Sequence, residues 1–88
     1  MIANEYVIMA PQGIHARPAT TLIRLTKNFK SVVSLKRGDK TIRLNSMLNV
    51  LSMSIKGGET IAVIVEGEDE AEASKVIGLF FTEQLKDL

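Results

Sequence analysis

The sequence predicts a two-layer α+β sandwich, in which helices cover one face of a single β-sheet. The periodicity of its apolar residues gives the element order β-α-β-β-α-β-α along 88 residues. Amphipathic helices need a sheet face to cover, and an antiparallel sheet tolerates water on its other face. A chain of this length has room for one core, so residues 1–88 are expected to form one domain.

Four short segments have the β-branched or apolar composition of strands. They are residues 5–9, 31–36, 40–44 and 60–66. The second and third flank Arg37-Gly38-Asp39, whose glycine is typical of a hairpin turn. Residues 60–66 are nearly all apolar and β-branched, which makes this segment the clearest strand of the four.

Three segments have apolar residues at the three- and four-residue spacing of amphipathic helices. The first runs from Ala16 to about Lys27, with Pro18 in the first turn, where a missing N–H costs little. The second follows the capping residue Ser46, and the third follows acidic residues 68–70, which suit a helix N-terminus. The expected apolar faces are Ala16, Ala19, Leu22, Ile23 and Thr26; Leu48, Leu51 and Ile55; and Ala73, Val76, Ile77, Phe80 and Leu85.

The composition excludes several classes of function. A formal net charge of +1 provides no basic field for nucleic acid, and the predicted strands carry only Tyr6 for base stacking. With no cysteine and one histidine, the chain lacks disulfides and has too few of the usual ligands for a metal site. No segment is typical of a signal peptide or a membrane span. We therefore expect a soluble cytoplasmic protein with no metal, no nucleic-acid partner and no membrane insertion.

The one histidine, His15, lies at the predicted junction between a loop and the first helix. The first N–H groups of a helix lack partners within the helix, and here they begin at Ala16. Together with the positive end of the helix dipole, such groups bind phosphate-sized anions. Arg17 adds a planar guanidinium that suits phosphate oxygens. Nearby positive charge favours neutral imidazole, whose lone pair can attack a phosphoryl donor. The sequence therefore predicts phosphorylation of His15, with Ala16 and Arg17 binding the phosphoryl oxygens.

A histidine at the start of a helix is, by itself, often only a polar loop residue, and Arg17 alone could be an ordinary surface charge. The combination with Gly13 and Pro18 is more specific, because these residues fix the backbone on both sides of the imidazole.

Residues 13–19, Gly-Ile-His-Ala-Arg-Pro-Ala, closely resemble the active-centre motif of the HPr family. These proteins are the histidine-containing phosphocarriers of the bacterial phosphoenolpyruvate-dependent sugar phosphotransferase system. The resemblance covers essentially the whole chain, including its length, its element order, the segment around Ser46 and residues 67–70 before the last helix. It implies a four-stranded antiparallel sheet with three helices on one face.

The resemblance also implies a function for the site. Enzyme I would phosphorylate His15 at Nδ1, Arg17 would assist the transfer, and sugar-specific IIA proteins or domains would receive the group. The chain would then be a stoichiometric phosphocarrier, not an enzyme with turnover of its own, and would need no cofactor. A monomer is expected, because a carrier must present the same face to successive partners.

A docking surface for these partners is predicted beside His15. One part is a basic stripe along the first helix, formed by Arg17, Thr20, Arg24 and Lys27. The residues that match an apolar docking patch in relatives are Thr20, Met47, Leu48 and Leu51. The stripe could equally be an ordinary solvated face, and part of the apolar set must belong to the core. Beside a phosphorylation site, the combination suits a small, transient interface with an acidic partner.

Ser46 is predicted to cap the second helix. In HPr of many Gram-positive bacteria the matching serine is phosphorylated by HPr kinase/phosphorylase, which makes that enzyme a further candidate partner. Relatives with this regulation commonly have Gly where this chain has Asn49, and Met where it has Leu51. These differences leave kinase recognition open.

Other functions remain open at this point. Paralogues of the family serve a nitrogen-related phosphotransfer chain with a regulatory output, and only partner preference separates that role from sugar uptake. Relatives without the histidine act as regulatory binding modules, which the presence of His15 argues against. A small ligand- or RNA-binding domain would fit the fold class alone, since a fold does not determine function, but the single aromatic residue of the strands argues against RNA.

Overall fold

The computed structural model describes residues 1–88 and has the predicted order of elements. They are β1 (Ile2–Val7), α1 (Ala16–Thr26), β2 (Val32–Arg37), β3 (Lys40–Arg43), α2 (Met47–Ser52), β4 (Thr60–Glu66) and α3 (Glu70–Leu79). A π-helical turn, Phe80–Gln84, and a 3₁₀ turn, Leu85–Asp87, continue α3 to the C-terminus. No helix is long and apolar enough to cross a membrane.

The four strands form one antiparallel sheet in the order β1-β4-β2-β3. β4 pairs with a strand on each side, so Val65 lies opposite Ile2 of β1 and Val33 of β2. Alternate residues of β4, including Ile61 and Val65, are buried on the face that the helices cover. The structure therefore confirms the predicted two-layer fold, a four-stranded antiparallel sheet with three helices on one face.

β1 begins earlier and ends earlier than predicted. The expected strand covered residues 5–9, whereas pairing with β4 starts at Ile2 and ends at Val7. The polar residues Asn4 and Glu5 obscure its start, but β4 is long enough to pair with all six residues. Ile8 then leaves the strand and begins the loop that leads to His15.

The buried faces of α1 and α2 differ in part from the predicted ones. In α1 the buried residues are Pro18, Ala19, Leu22 and Ile23, whereas Ala16 is exposed and Thr26 is half-buried. In α2 the core residue is Val50, and Leu48 is 77% exposed. A helix of six residues has less than two full turns, so with Val50 in the core and Met47 half-buried against it, Leu48 is left facing outward.

The C-terminal helix changes its winding because two consecutive phenylalanines must both be buried. Phe80 and Phe81 are almost completely buried, although successive residues of an α-helix point about 100° apart. The wider π-helical turn beginning at Phe80 accommodates both rings. Phe81 stacks on Tyr6 of β1 with ring centroids 5.2 Å apart, and it meets Phe80 edge to face at 5.1 Å.

A carboxylate clamp joins the start of α3 to the loop that follows α1. Asp69 accepts hydrogen bonds from the Ser31 hydroxyl and from the backbone N–H groups of Lys30 (2.8 Å) and Ser31 (2.9 Å). The Ser31 hydroxyl, followed by the Lys30 N–H, lowers the pKa of the Asp69 carboxyl. The clamp therefore ties the loop between α1 and β2 to the start of α3.

Candidate functional site

His15 is the N-cap residue of α1, and its side chain takes no part in capping. Its backbone is extended, with φ −90° and ψ −167°, and its carbonyl accepts the Ala19 N–H at 3.0 Å. The half-buried imidazole makes no capping hydrogen bond, unlike the Ser or Asp side chains common at this position. Both ring nitrogens thus remain available for chemistry at the surface.

The first turn of α1 presents unpaired donors next to this imidazole. The N–H groups of Ala16 and Arg17 have no acceptor within the chain, and Pro18 has no N–H to offer. No acidic residue lies in the first turn to neutralise the positive end of the helix dipole. The helix terminus and the exposed Arg17 side chain therefore provide a site suited to a phosphoryl group on His15.

The segment that leads to His15, residues 8–14, is here called the site loop. Gly13 has φ +69°, and a Cβ at this position would collide with the carbonyl oxygen of Ile55. This close approach lets the Ile14 N–H donate to the same Ile55 carbonyl at 3.1 Å. Gly13 is thus required both for its backbone conformation and for the contact that fixes the residue before His15.

Residues 55–59, here called the bracing loop, hold the rest of the site loop. The Gly58 N–H donates to the Ile8 carbonyl at 2.8 Å, and the Ile8 N–H donates to the Glu59 carbonyl at 2.8 Å. Next to these bonds, Gly57 approaches Ala10 so closely that a Cβ on Gly57 would lie only 2.6 Å from the Ala10 carbonyl oxygen. The Gly57-Gly58 pair in the sequence indicates a turn but not its partner, so sequence reasoning misses the supporting role of the bracing loop.

The basic stripe and the apolar patch meet where α1 packs on α2. Thr20 donates its hydroxyl to the Ala16 carbonyl at 2.9 Å and contacts Met47 Sδ at 3.5 Å. Met47 is half-buried against the core, while Leu48 and Leu51 are 77% and 38% exposed. The structure therefore divides the predicted patch into two half-buried residues, Thr20 and Met47, and two exposed leucines.

The cationic residues of the stripe are all exposed and form no ion pair within the chain. They are Arg17, Arg24 and Lys27. Arg24 and Lys27 lie about two and three turns along α1 from Arg17. Only Arg17 is thus in the same helical turn as the candidate phosphorylation site.

Ser46 caps α2, as its position in the sequence indicated. Its Oγ accepts the Asn49 N–H at 3.4 Å, and its backbone is extended. Asn49 also donates its side-chain amide to Asn45 Oδ1 at 3.4 Å. Ser46 as a residue is only half-buried, so its capping role leaves it partly open to solvent.

His15 lies on the open surface. The surface has two shallow grooves, one between the end of α1 and the β3–α2 connection and one on the sheet, and His15 lines neither. No group of three or more His, Cys, Asp or Glu side chains is arranged to hold a metal ion.

Known proteins resemble the chain over nearly its whole length. The family model described as the PTS HPr component phosphorylation site matches residues 2–83. A phosphocarrier protein HPr from Lysinibacillus sphaericus is 34% identical over 83 residues, 94% of each chain. HPr from Thermoanaerobacter tengcongensis has a TM-score of 0.91 at 25% identity, with 100% of this chain and 98% of that chain covered.

A third similar protein is named for catabolite repression. Crh, the catabolite repression HPr of Bacillus subtilis, has a TM-score of 0.76 at 26% identity, covers 97% of this chain and 98% of its own, and is described as a domain-swapped dimer.

Three observations support the same assignment. They are the histidine at the start of α1, the open-faced sandwich around it, and the match of the family model over residues 2–83. The chain belongs to the HPr family, the phosphocarrier component of the phosphotransferase system.

Proposed function

We propose that this protein accepts a phosphoryl group from enzyme I on His15 and passes it to sugar-specific IIA proteins. The observation that carries the proposal is the uncapped imidazole of His15, beside the unpaired N–H groups of Ala16 and Arg17. In a chain of the HPr family this geometry gives the phosphoryl group a nucleophile and a set of donors at one partly exposed position.

The transfer needs a lone pair at Nδ1 of neutral His15. This nitrogen attacks phosphorus while the bond from phosphorus to the donor breaks, and the electron pair of that bond leaves with the donor. The N–H groups of Ala16 and Arg17 and the Arg17 guanidinium would stabilise the charge on the phosphoryl oxygens. The reverse step, with an acceptor side chain attacking the phosphohistidine, returns His15 to its starting state.

The protein acts in this proposal as a stoichiometric carrier and not as an enzyme. Its site has a nucleophile and an anion-binding helix terminus on the open surface, which suits direct approach of a second protein. Enzyme I and the IIA proteins would use it in the cytoplasm, one after the other, and a monomer can present the same face to each.

Intact mass spectrometry after incubation with phosphoenolpyruvate and enzyme I tests this proposal. We expect one acid-labile phosphoryl group per 9.7 kDa chain in the wild type and none in His15→Ala. A native spectrum of the same sample should show the monomer. If the wild type gains no phosphoryl group from an enzyme I that phosphorylates another HPr, the proposed role in sugar uptake is wrong. The nitrogen-related donor and a Crh-like binding role would then be tested next.

We propose that both partners dock on the exposed stripe and patch beside His15. Leu48 and Leu51 provide an apolar centre, and Arg17, Arg24 and Lys27 provide a positive rim without acidic neighbours paired to them. Exposed charges of one sign accelerate encounter with an acidic surface.

Charge reversal at the far end of the stripe tests this docking surface. The double variant Arg24→Glu/Lys27→Glu should slow phosphoryl transfer from enzyme I by about tenfold at low salt, with a smaller effect at high salt. Lys75→Glu is the matched control, because Lys75 is an exposed cation on α3. Equal transfer rates for the double variant and the wild type would show that the stripe does not guide docking.

We propose that Ser46 is a second, regulatory phosphorylation site. Its partly exposed hydroxyl precedes the short α2 and lies two positions before the exposed Leu48 of the proposed patch. A phosphate there would place negative charge next to a surface that binds an acidic partner.

Incubation with HPr kinase/phosphorylase and ATP tests the second site. We expect an acid-stable phosphate on wild-type protein that Ser46→Ala lacks, together with slower phosphorylation of His15 by enzyme I. Absence of phosphate on Ser46 at saturating, active kinase would eliminate regulation by this route and would leave the role of His15 unchanged.

A further inference from the structure

The bracing loop is closed by the side chain of one of its own residues. Glu59 Oε2 accepts the backbone N–H of Lys56 at 2.7 Å, while the Glu59 N–H donates to the Lys56 carbonyl at 3.2 Å. The two bonds join the same pair of residues in opposite directions. The turn at 56–59 therefore keeps its shape through the Glu59 carboxylate as well as through the backbone.

The same carboxylate oxygen anchors the turn to the sheet. Arg37, the last residue of β2, donates from Nη1 to Glu59 Oε2 at 3.2 Å. The side chains of Arg37 and Glu59 are 30% and 36% exposed, so the ion pair by itself is a weak contact. The hydrogen bond from the Lys56 N–H lowers the pKa of the Glu59 carboxyl, and the positive charge of Arg37 lowers it further.

A continuous set of contacts connects this turn to the residue before His15. The turn closed by Glu59 follows Ile55, and the Ile55 carbonyl holds the Ile14 N–H at 3.1 Å. The Glu59 carbonyl separately binds the Ile8 N–H at the other end of the site loop. A shift of the bracing loop would therefore move both ends of the segment that places His15.

We propose that Glu59 is a positioning residue for phosphoryl transfer at His15. It acts through the backbone, by holding the bracing loop so that the Ile55 carbonyl fixes Ile14. The proposal rests on the proposed function for its effect on transfer, but its effect on the site loop is independent of that function. The hydrogen bond from the Lys56 N–H to the Glu59 carboxylate contributes most to this positioning, because it closes the turn directly.

The experiment compares Glu59→Ala and Glu59→Gln with the wild type by amide hydrogen exchange and by the rate of transfer from enzyme I. Glu59→Ala removes the acceptor, so the Ile14 amide should exchange about tenfold faster while core amides such as that of Val63 keep their rates. Transfer should slow by about threefold to tenfold, because the imidazole is no longer fixed. Glu59→Gln retains an acceptor oxygen for the Lys56 N–H and should restore both readouts to near the wild-type values.

Two further variants separate positioning from other effects of charge. Glu83→Ala is the matched control, because Glu83 is an exposed glutamate that forms a surface ion pair with Lys86; it should behave as the wild type. Arg37→Gln removes the anchor but leaves the turn closed, so it should change exchange at Ile14 in the same direction as Glu59→Ala and by less.

Unchanged exchange at Ile14 in Glu59→Ala would overturn the proposal, as would a transfer rate equal to that of the wild type. Glu59→Gln slowing transfer as much as Glu59→Ala would assign the effect to charge and also overturn it. Failure of the proposed function looks different, since wild-type protein would then accept no phosphoryl group while exchange at Ile14 would still respond to Glu59→Ala.

Discussion

The site loop lies directly against the bracing loop on its way to His15, and the bond from the Ile14 N–H to the Ile55 carbonyl is the contact between them that is nearest to His15 in the sequence. Gly13 makes this approach possible, because any side chain there would occupy the position of the Ile55 carbonyl. The loop before α1 and the loop before β4 therefore have to be formed together. The imidazole is placed by contacts between segments about 40 residues apart in the sequence, and α1 alone does not determine its position.

The rest of the fold supplies the frame for these loops. β4 pairs with both β1 and β2 and buries alternate residues under the helices. Ile8 of the site loop directly follows β1, and Glu59 of the bracing loop directly precedes β4. The two loops therefore begin side by side, at the ends of adjacent strands. Asp69 binds the loop that follows α1, through Lys30 and Ser31. The segments on both sides of α1 are thus held by other parts of the chain, while its free N–H groups remain next to His15.

The element order and the reactive residue could be predicted from the sequence, because both depend on local information. Apolar periodicity identified the strands and helices, and the residues around His15 identified a helix terminus suited to phosphate. The bracing loop could not be found in this way, since the need for Gly13 arises from Ile55, far along the chain. Similarly, the burial of Phe81 depends on its stack with Tyr6, and no helical spacing in the sequence required it.

Nuclear magnetic resonance of the phosphorylated protein tests most directly whether the start of α1 holds the phosphoryl group on His15. Hydrogen bonds from Ala16 and Arg17 to its oxygens should move their amide protons strongly downfield, while amides in β4 such as that of Val63 should hardly change. Shifts at Ala16 and Arg17 no larger than those in β4 would contradict this role of the helix N-terminus, even in a protein that carries phosphate on His15.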